Sequence, residues 1–254
     1  MRPLGSHWSF WAKLDHTDFW HTSQFIHQHS RDRAQFKLLH EGDNISFPPF
    51  ITYDVRSRDG FESLQHQAWL GVKGRFTENL RGTSRIGYYW NHGDFARRHR
   101  ESLLYEGGLN HEITSSTRHS LYGGLIYDDD IFGDDGLYKY ARYTIAHSFN
   151  TRLMARAFVG IQNRADDQDL DRWTTGIHLT AHPTEYIQLS LLARYESNSR
   201  DSMPDWDRWV YRTGLKYRIM SRLHWEVNYQ YEEMNRQMGD FTEHFFYTGI
   251  TQSF

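Results

Sequence analysis

From about residue 65 to the end of the chain, apolar and polar residues alternate with period two in segments of roughly 12 residues. The clearest sets Trp209, Tyr211, Thr213, Leu215, Tyr217 and Ile219 on one face and Arg208, Val210, Arg212, Gly214, Lys216 and Arg218 on the other. The next alternates Leu223, Trp225, Val227, Tyr229 and Tyr231 with His224, Glu226, Asn228, Gln230 and Glu232. Residues 152–164 and 172–182 repeat the pattern. A helix has period 3.6 and would scatter such a sequence around its circumference, so these segments are strands. Eleven are read, over about 65–77, 80–92, 101–114, 118–129, 136–149, 151–164, 170–182, 184–197, 207–220, 222–234 and 242–254. Residues 46–57 (SFPPFITYDVRS) give one more, and a hairpin over 18–28 and 33–41 brings the total to fourteen.

The connectors alternate in length. Short ones (TEN, SST, NT, PT, SR) take turns with long polar ones such as NHGDFARRHR, DDDIFGDDG and SNSRDSMPDWD. Short turns at one end and long loops at the other are the plan of bacterial outer-membrane barrels, whose strands need about 9–11 residues to cross the bilayer. Closure also leaves no unpaired strand edge. The expected fold is therefore all-β, a transmembrane antiparallel up-and-down barrel of fourteen strands, with twelve as the alternative. Both termini on the short-turn side require an even count. Residues 1–17 are expected as an N-terminal segment, a plug or the linker from an upstream domain, and 18–254 as the barrel. The final strand ends in Phe254, in the manner of the C-terminal assembly signature of such proteins.

Composition agrees. The 254 residues have net charge −3, 24% charged and 16% aromatic residues. That aromatic content excludes disorder, and the near-neutral balance excludes a basic nucleic-acid binder. No apolar run approaches the 18 residues of a membrane helix, and the N-terminus shows no export signal. With no cysteine, thiolate metal sites and cysteine nucleophiles are excluded. Of the two rows on each strand, one is too charged for a dry core, because an unpaired buried ion costs several kcal/mol. A lipid-facing apolar row and a watered charged row satisfy both, and place the chain in the outer membrane with lipid and lipopolysaccharide around it. Aromatic girdles are expected near the long loops (Tyr88, Trp90, Tyr105, Tyr127, Trp173, Tyr195, Trp209, Tyr211, Tyr229, Tyr231) and near the short turns (Phe76, Phe149, Tyr186, Tyr217).

The inward register collects Lys73, Arg75, Arg85, Arg142, Arg152, Arg156, Arg164, Arg172, Arg194, Arg208, Arg212, Lys216 and Arg218. The inward acids are Glu106, Glu112, Asp128, Glu196, Glu226 and Glu232, so cations exceed carboxylates about two to one. An arginine-lined tube of low dielectric favours anionic solutes. The same arginines could instead bond lumenal carboxylates and fill the barrel. Enzymatic readings are weaker. His147 and Ser148 are adjacent on a strand and so face opposite sides, and the loop acids around Asp128–Asp130, Asp134, Asp135, Asp205 and Asp207 suit Ca²⁺, bridged lipopolysaccharide phosphates or plain solvation better than catalysis. Sixteen histidines are scattered; His178 and His182 share a face but sit about 13 Å apart at strand rise, too far for one metal. No catalytic residue, metal site or cofactor is expected, and no nucleic-acid partner.

The segments LGVKGRFTENLRGTSRIGYYW (70–90) and DRWVYRTGLKYRIMSRLHWEVNYQYEEMNR (207–236) resemble β-barrel porins associated with exopolysaccharide secretion, whose strands turn tightly and return as Tyr-x-Tyr. The resemblance runs over about residues 46–254 and implies an outer-membrane exit port for polysaccharide, with an upstream periplasmic domain or secretion partner. It assigns no individual residue. The expected function is a channel passing anionic or polyhydroxy solutes. The alternatives are a plugged structural or adhesion barrel acting through acidic loops, and an outer-membrane hydrolase or protease.

Overall fold

The computed structural model describes residues 2–3, 7–19, 29–42, 45–58, 63–92, 101–128, 136–165, 170–200, 203–221, 223–236 and 239–252. A two-residue bridge, β1 (Arg2–Pro3), precedes fourteen long strands. These are β2 (Trp8–Phe19), β3 (His29–His40), β4 (Pro49–Arg58), β5 (Ser63–Arg75), β6 (Leu80–His92), β7 (Glu101–Glu112) and β8 (Thr117–Asp128). Then follow β9 (Gly136–Asn150), β10 (Leu153–Arg164), β11 (Leu170–Ala181), β12 (Ile187–Arg200), β13 (Met203–Met220), β14 (Leu223–Arg236) and β15 (Phe241–Gln252). They form one sheet in sequence order, with the mapped pairs antiparallel. Among the described residues there is no helix.

The fourteen-strand expectation holds, with corrections at the N-terminal side. The first hairpin runs over Trp8–Phe19 and His29–His40, not 18–28 and 33–41, so residues 8–17 belong to the sheet. Residues 20–28 lie outside the described residues. The alternation was present as Trp8, Phe10, Ala12 and Leu14 against Ser9, Lys13 and Asp15, but Trp11 on the polar face disguises it. The third strand likewise starts later than expected, at Pro49, the second of the two prolines, rather than at 46. The strand expected from 184 starts at Ile187 because Thr184 Oγ1 accepts the amides of Tyr186 and Ile187 and holds a turn. Phe254 and the acidic loop stretches 129–135 and 166–169 lie outside the described residues.

The distribution of exposure is the reverse of a water-soluble sheet. The apolar row is open, with Leu70, Ile86, Leu103, Phe149, Ile161, Ile177, Leu191 and Ile250 all exposed. On the opposite face, Asn198 is 1% exposed, Glu196 5% and Arg208 8%. Covering one such apolar side chain is worth about 1.5–3 kcal/mol, so leaving about a dozen in water would forfeit more than the roughly 5–15 kcal/mol of a typical net stability. Hydrocarbon is the solvent that removes this cost. At the long-loop end the same face carries a continuous ring ladder, Trp173, Tyr195, Trp209, Tyr211, Tyr231 and His244, with successive centroids 4.9–6.2 Å apart. Such amphipathic rings suit the bilayer–water boundary.

Candidate functional site: the charged face of the sheet

Contacts divide the chain into two compact units, residues 1–109 with 124–137 and residues 110–123 with 138–254. Each carries its own polar face.

In the first unit, β2–β6 line a cavity of about 490 Å³ with Trp11, Arg33, Lys37, Asp54, Arg56, Trp69 and Arg85 among its walls. The cross-strand register puts these side chains together: Gln35 opposes Asp54, Asp54 opposes Gln67, and Thr52 lies between Lys37 and Trp69. Asp54 is the anchor. It accepts from Arg33 Nε at 2.9 Å and Nη2 at 2.5 Å, from Gln35 Nε2 at 2.7 Å, and from Arg56 Nε at 3.2 Å. One carboxylate thus fixes two guanidinium groups and neutralises one of them. Arg85 donates to Glu106 at 2.9 Å and lies 4.1 Å over the Trp69 ring, while Lys37 sits 5.3 Å over Phe50. Four cations face two carboxylates, beside two indoles. Among the described residues, Thr52 Oγ1 and Arg85 Nε are buried without a hydrogen-bond partner.

The segment after Gly123-Gly124 lies against this same face. Tyr127 stacks on Tyr89 at 3.7 Å, and its carbonyl accepts from Gln67 Nε2 at 3.3 Å. Leu104, Trp69 and Leu137 complete a buried cluster around the pair. Tyr127 is therefore not part of the outward girdle. The strand passes so close to its neighbour at Gly124 that a Cβ would meet the Tyr105 carbonyl oxygen at 2.2 Å. From there Tyr127 and Leu137 narrow the polar face instead of meeting lipid.

In the second unit the polar side chains form a ladder across four strands. Arg172 Nε donates to Asn198 Oδ1 at 2.8 Å. Glu196 accepts from Arg208 Nε at 2.9 Å and Nη2 at 2.5 Å, and ion-pairs with Arg194 at 3.0 Å. Arg208 also reaches Glu232 at 3.4 Å, Gln230 donates to Glu232, and Arg212 donates to Gln230 Oε1. Nearer the short turns, Lys216 pairs with Glu226 at 2.7 Å and Arg218 with Glu185 at 3.4 Å. Arg142 lies 4.4 Å over Phe158. Arg152 donates to the Pro183 carbonyl, and Arg164 closes β10.

The cations of the inward register differ in what holds them. Arg85, Arg194, Arg208, Lys216 and Arg218 are held by carboxylates, and Arg172 and Arg212 by neutral amides. Lys73, Arg75 and Arg156 have no carboxylate within ion-pair distance among the described residues. Sequence reasoning missed Trp11, Arg33, Lys37, Asp54, Arg56 and Trp69, although the strand 46–57 already carried Asp54 and Arg56 on one face. Among the described residues no three histidine, aspartate or glutamate side chains converge as a metal site.

No family model matches the chain, and neither does any curated protein. Solved structures do match. A bacterial polysaccharide outer membrane secretin aligns with TM-score 0.65 at 9% identity, over 89% of this chain and 79% of that one. A loop L8 deletion mutant of OmpT, an outer membrane protein of Vibrio cholerae, aligns with TM-score 0.59 at 10% identity, over 97% and 99%. The trimer form of in-vitro folded OmpT from the same organism gives 0.54 at 9%, over 97% and 98%. The fold is that of an outer-membrane β-barrel. The exposed apolar row and its aromatic belt agree with that setting.

Proposed function

We propose that the chain is an outer-membrane conduit whose charged face passes anionic or polyhydroxy solutes, with export of an acidic polysaccharide as its use. The observation that carries this reading is the cavity on β2–β6, where four cations and two indoles surround a single lining carboxylate. Arginine pairs with carboxylate and phosphate in a bidentate fork, and an indole offers an apolar face to the ring of a sugar. A solute at the cations of this cavity would bind strongly enough to enter and weakly enough to leave, and Arg156 and Arg212 offer weak sites of the same kind within the second unit. The similar fold of a polysaccharide secretin supports the choice of solute. The reading contains no catalytic step. A secretion partner or upstream periplasmic domain would deliver the polymer.

The test is single-channel conductance in a planar bilayer, with reversal potentials in a KCl gradient. Steady anion-selective conductance, shifted toward cations by Lys37→Glu and Arg156→Glu, is expected. The packing of Tyr127 and Leu137 on the polar face favours a second reading, a plugged barrel that works through its loops. Silent bilayers with folded protein would select it and overturn the first.

A further inference from the structure

We propose that the tight hairpin of β7 and β8 carries a binding site for a divalent transition cation of the zinc and copper class, formed by His111 and His119. The site lies on the apolar face at the short-turn end, apart from the charged face, and does not depend on the conduit reading.

The turn is closed by the Ile113 amide donating to the Thr117 carbonyl at 2.9 Å, which sets His111 directly across from His119. Their neighbours on this face, Leu109, Ile113 and Leu121, are exposed apolar residues. Two imidazoles amid such neighbours call for an explanation, since polar rings gain nothing from lipid unless they are satisfied. His111 Nδ1 lies 2.9 Å from His119 Nε2, and the ring centroids are 5.1 Å apart. The far nitrogen of His119, Nδ1, lies 3.0 Å from the Tyr143 hydroxyl, and Thr117 Oγ1 alongside engages His147 Nδ1 at 2.8 Å.

This arrangement is most of a metal site. A histidine ligand uses one ring nitrogen for the metal while an outer group holds the other and fixes the tautomer. With the proton of His119 on Nδ1, directed at the Tyr143 oxygen, its Nε2 lone pair faces His111. In the empty pair His111 donates through Nδ1. A cation entering between the rings needs that lone pair too, and His111 supplies it by carrying its single proton on Nε2 instead, so no net proton is released. Zinc–nitrogen bonds of about 2.0–2.1 Å at a tetrahedral angle separate two ligand nitrogens by about 3.3 Å. The rings therefore need to part by only a few tenths of an ångström. Imidazole favours zinc, copper and nickel over the hard oxygen-seeking cations. With two protein ligands, the remaining positions go to water or to a lipid phosphate at the membrane boundary. The site is then exchangeable, unlike a closed structural one.

The experiment uses the folded full chain in detergent micelles, titrated calorimetrically with ZnCl₂, and Cu²⁺ electron paramagnetic resonance on the same sample. Wild type is expected to bind one equivalent, with nitrogen couplings from two imidazoles. His119→Gln and His111→Asn should weaken this binding at least about 10-fold. Tyr143→Phe, which leaves both ligands in place and removes only the hydroxyl beside His119 Nδ1, should weaken it by roughly 10-fold through the lost outer hydrogen bond. Binding that is unchanged in both histidine variants would overturn the proposal. So would a wild-type copper spectrum without two nitrogens, or no zinc uptake at 1 mM, whatever the variants do.

Discussion

Replacing Glu196 with alanine tests how the charged face is held. Glu196 and Arg208 have side chains only 7% and 10% exposed, and Glu196 takes both the Nε and Nη2 bonds of Arg208 as well as the ion pair from Arg194. Removing the carboxylate leaves Arg208 with the longer 3.4 Å contact to Glu232, and Arg194 next to it without a counter-charge at that position. Breaking one partner out of a buried pair costs about 3–5 kcal/mol, because the surviving charge keeps its desolvation penalty. Lys216–Glu226 is the internal control. It is similarly short at 2.7 Å, but its side chains are 39% and 29% exposed, and pairs of that exposure are worth about 0–1 kcal/mol. Urea unfolding of the barrel in lipid vesicles should therefore separate Glu196→Ala from Glu226→Ala by about 2–5 kcal/mol at unchanged slope. The double variant Glu196→Leu with Arg208→Met should recover most of the loss, since it removes both charges together. Equal costs for the two glutamates would refute the reasoning, and would mean that water reaches Glu196 as freely as Glu226.

Tyr127→Ala removes one ring of the Tyr89 stack and empties part of a buried cluster; about 3–5 kcal/mol of stability should go with it, together with a larger single-channel conductance. Gly124→Ala places a Cβ 2.2 Å from the Tyr105 carbonyl oxygen and should block folding, assayed by gel mobility of the heated and unheated barrel. Gly107→Ala, whose nearest contact would be 4.0 Å away, should fold normally. Asp54→Asn leaves Arg33 and Arg56 without their shared counter-charge and should raise anion selectivity in reversal-potential measurements while lowering stability.

The strands, their number and the two faces were legible because period-two alternation is a local property of the chain. The first hairpin was harder to place because Trp11, a large apolar residue, stands on the charged face, where its ring lines the cavity. Tyr127 failed for a related reason. Alternation assumes that a strand keeps its face, and β8 leaves that assumption at Gly123-Gly124, where absent side chains permit a close passage that no hydrophobic pattern encodes. The pairing of the arginines lay further out of reach. Whether Arg208 or Arg156 meets a carboxylate depends on cross-strand register, and register is fixed by turns and bulges such as those beside Leu153 and Arg218.

That distinction alters how the lumen charge is to be counted. Thirteen inward cations against six acids suggest a uniformly basic wall, yet an arginine in bidentate contact with glutamate presents a dipole whose field falls off faster than that of a free charge. On the second unit, the positions paired with the buried Glu196 carboxylate, Arg194 and Arg208, contribute mainly rigidity. Arg212, held through a neutral amide, and Arg156, with no carboxylate in ion-pair range among the described residues, keep their full charge. Selectivity should therefore follow the second set and stability the first. Charge reversal at Arg156 or Arg212 should move the reversal potential with little change in unfolding, while Arg208→Gln should do the opposite. If all of these variants shifted the reversal potential alike, the ion pairs would be open in the working protein and the wall would act as one continuous basic surface.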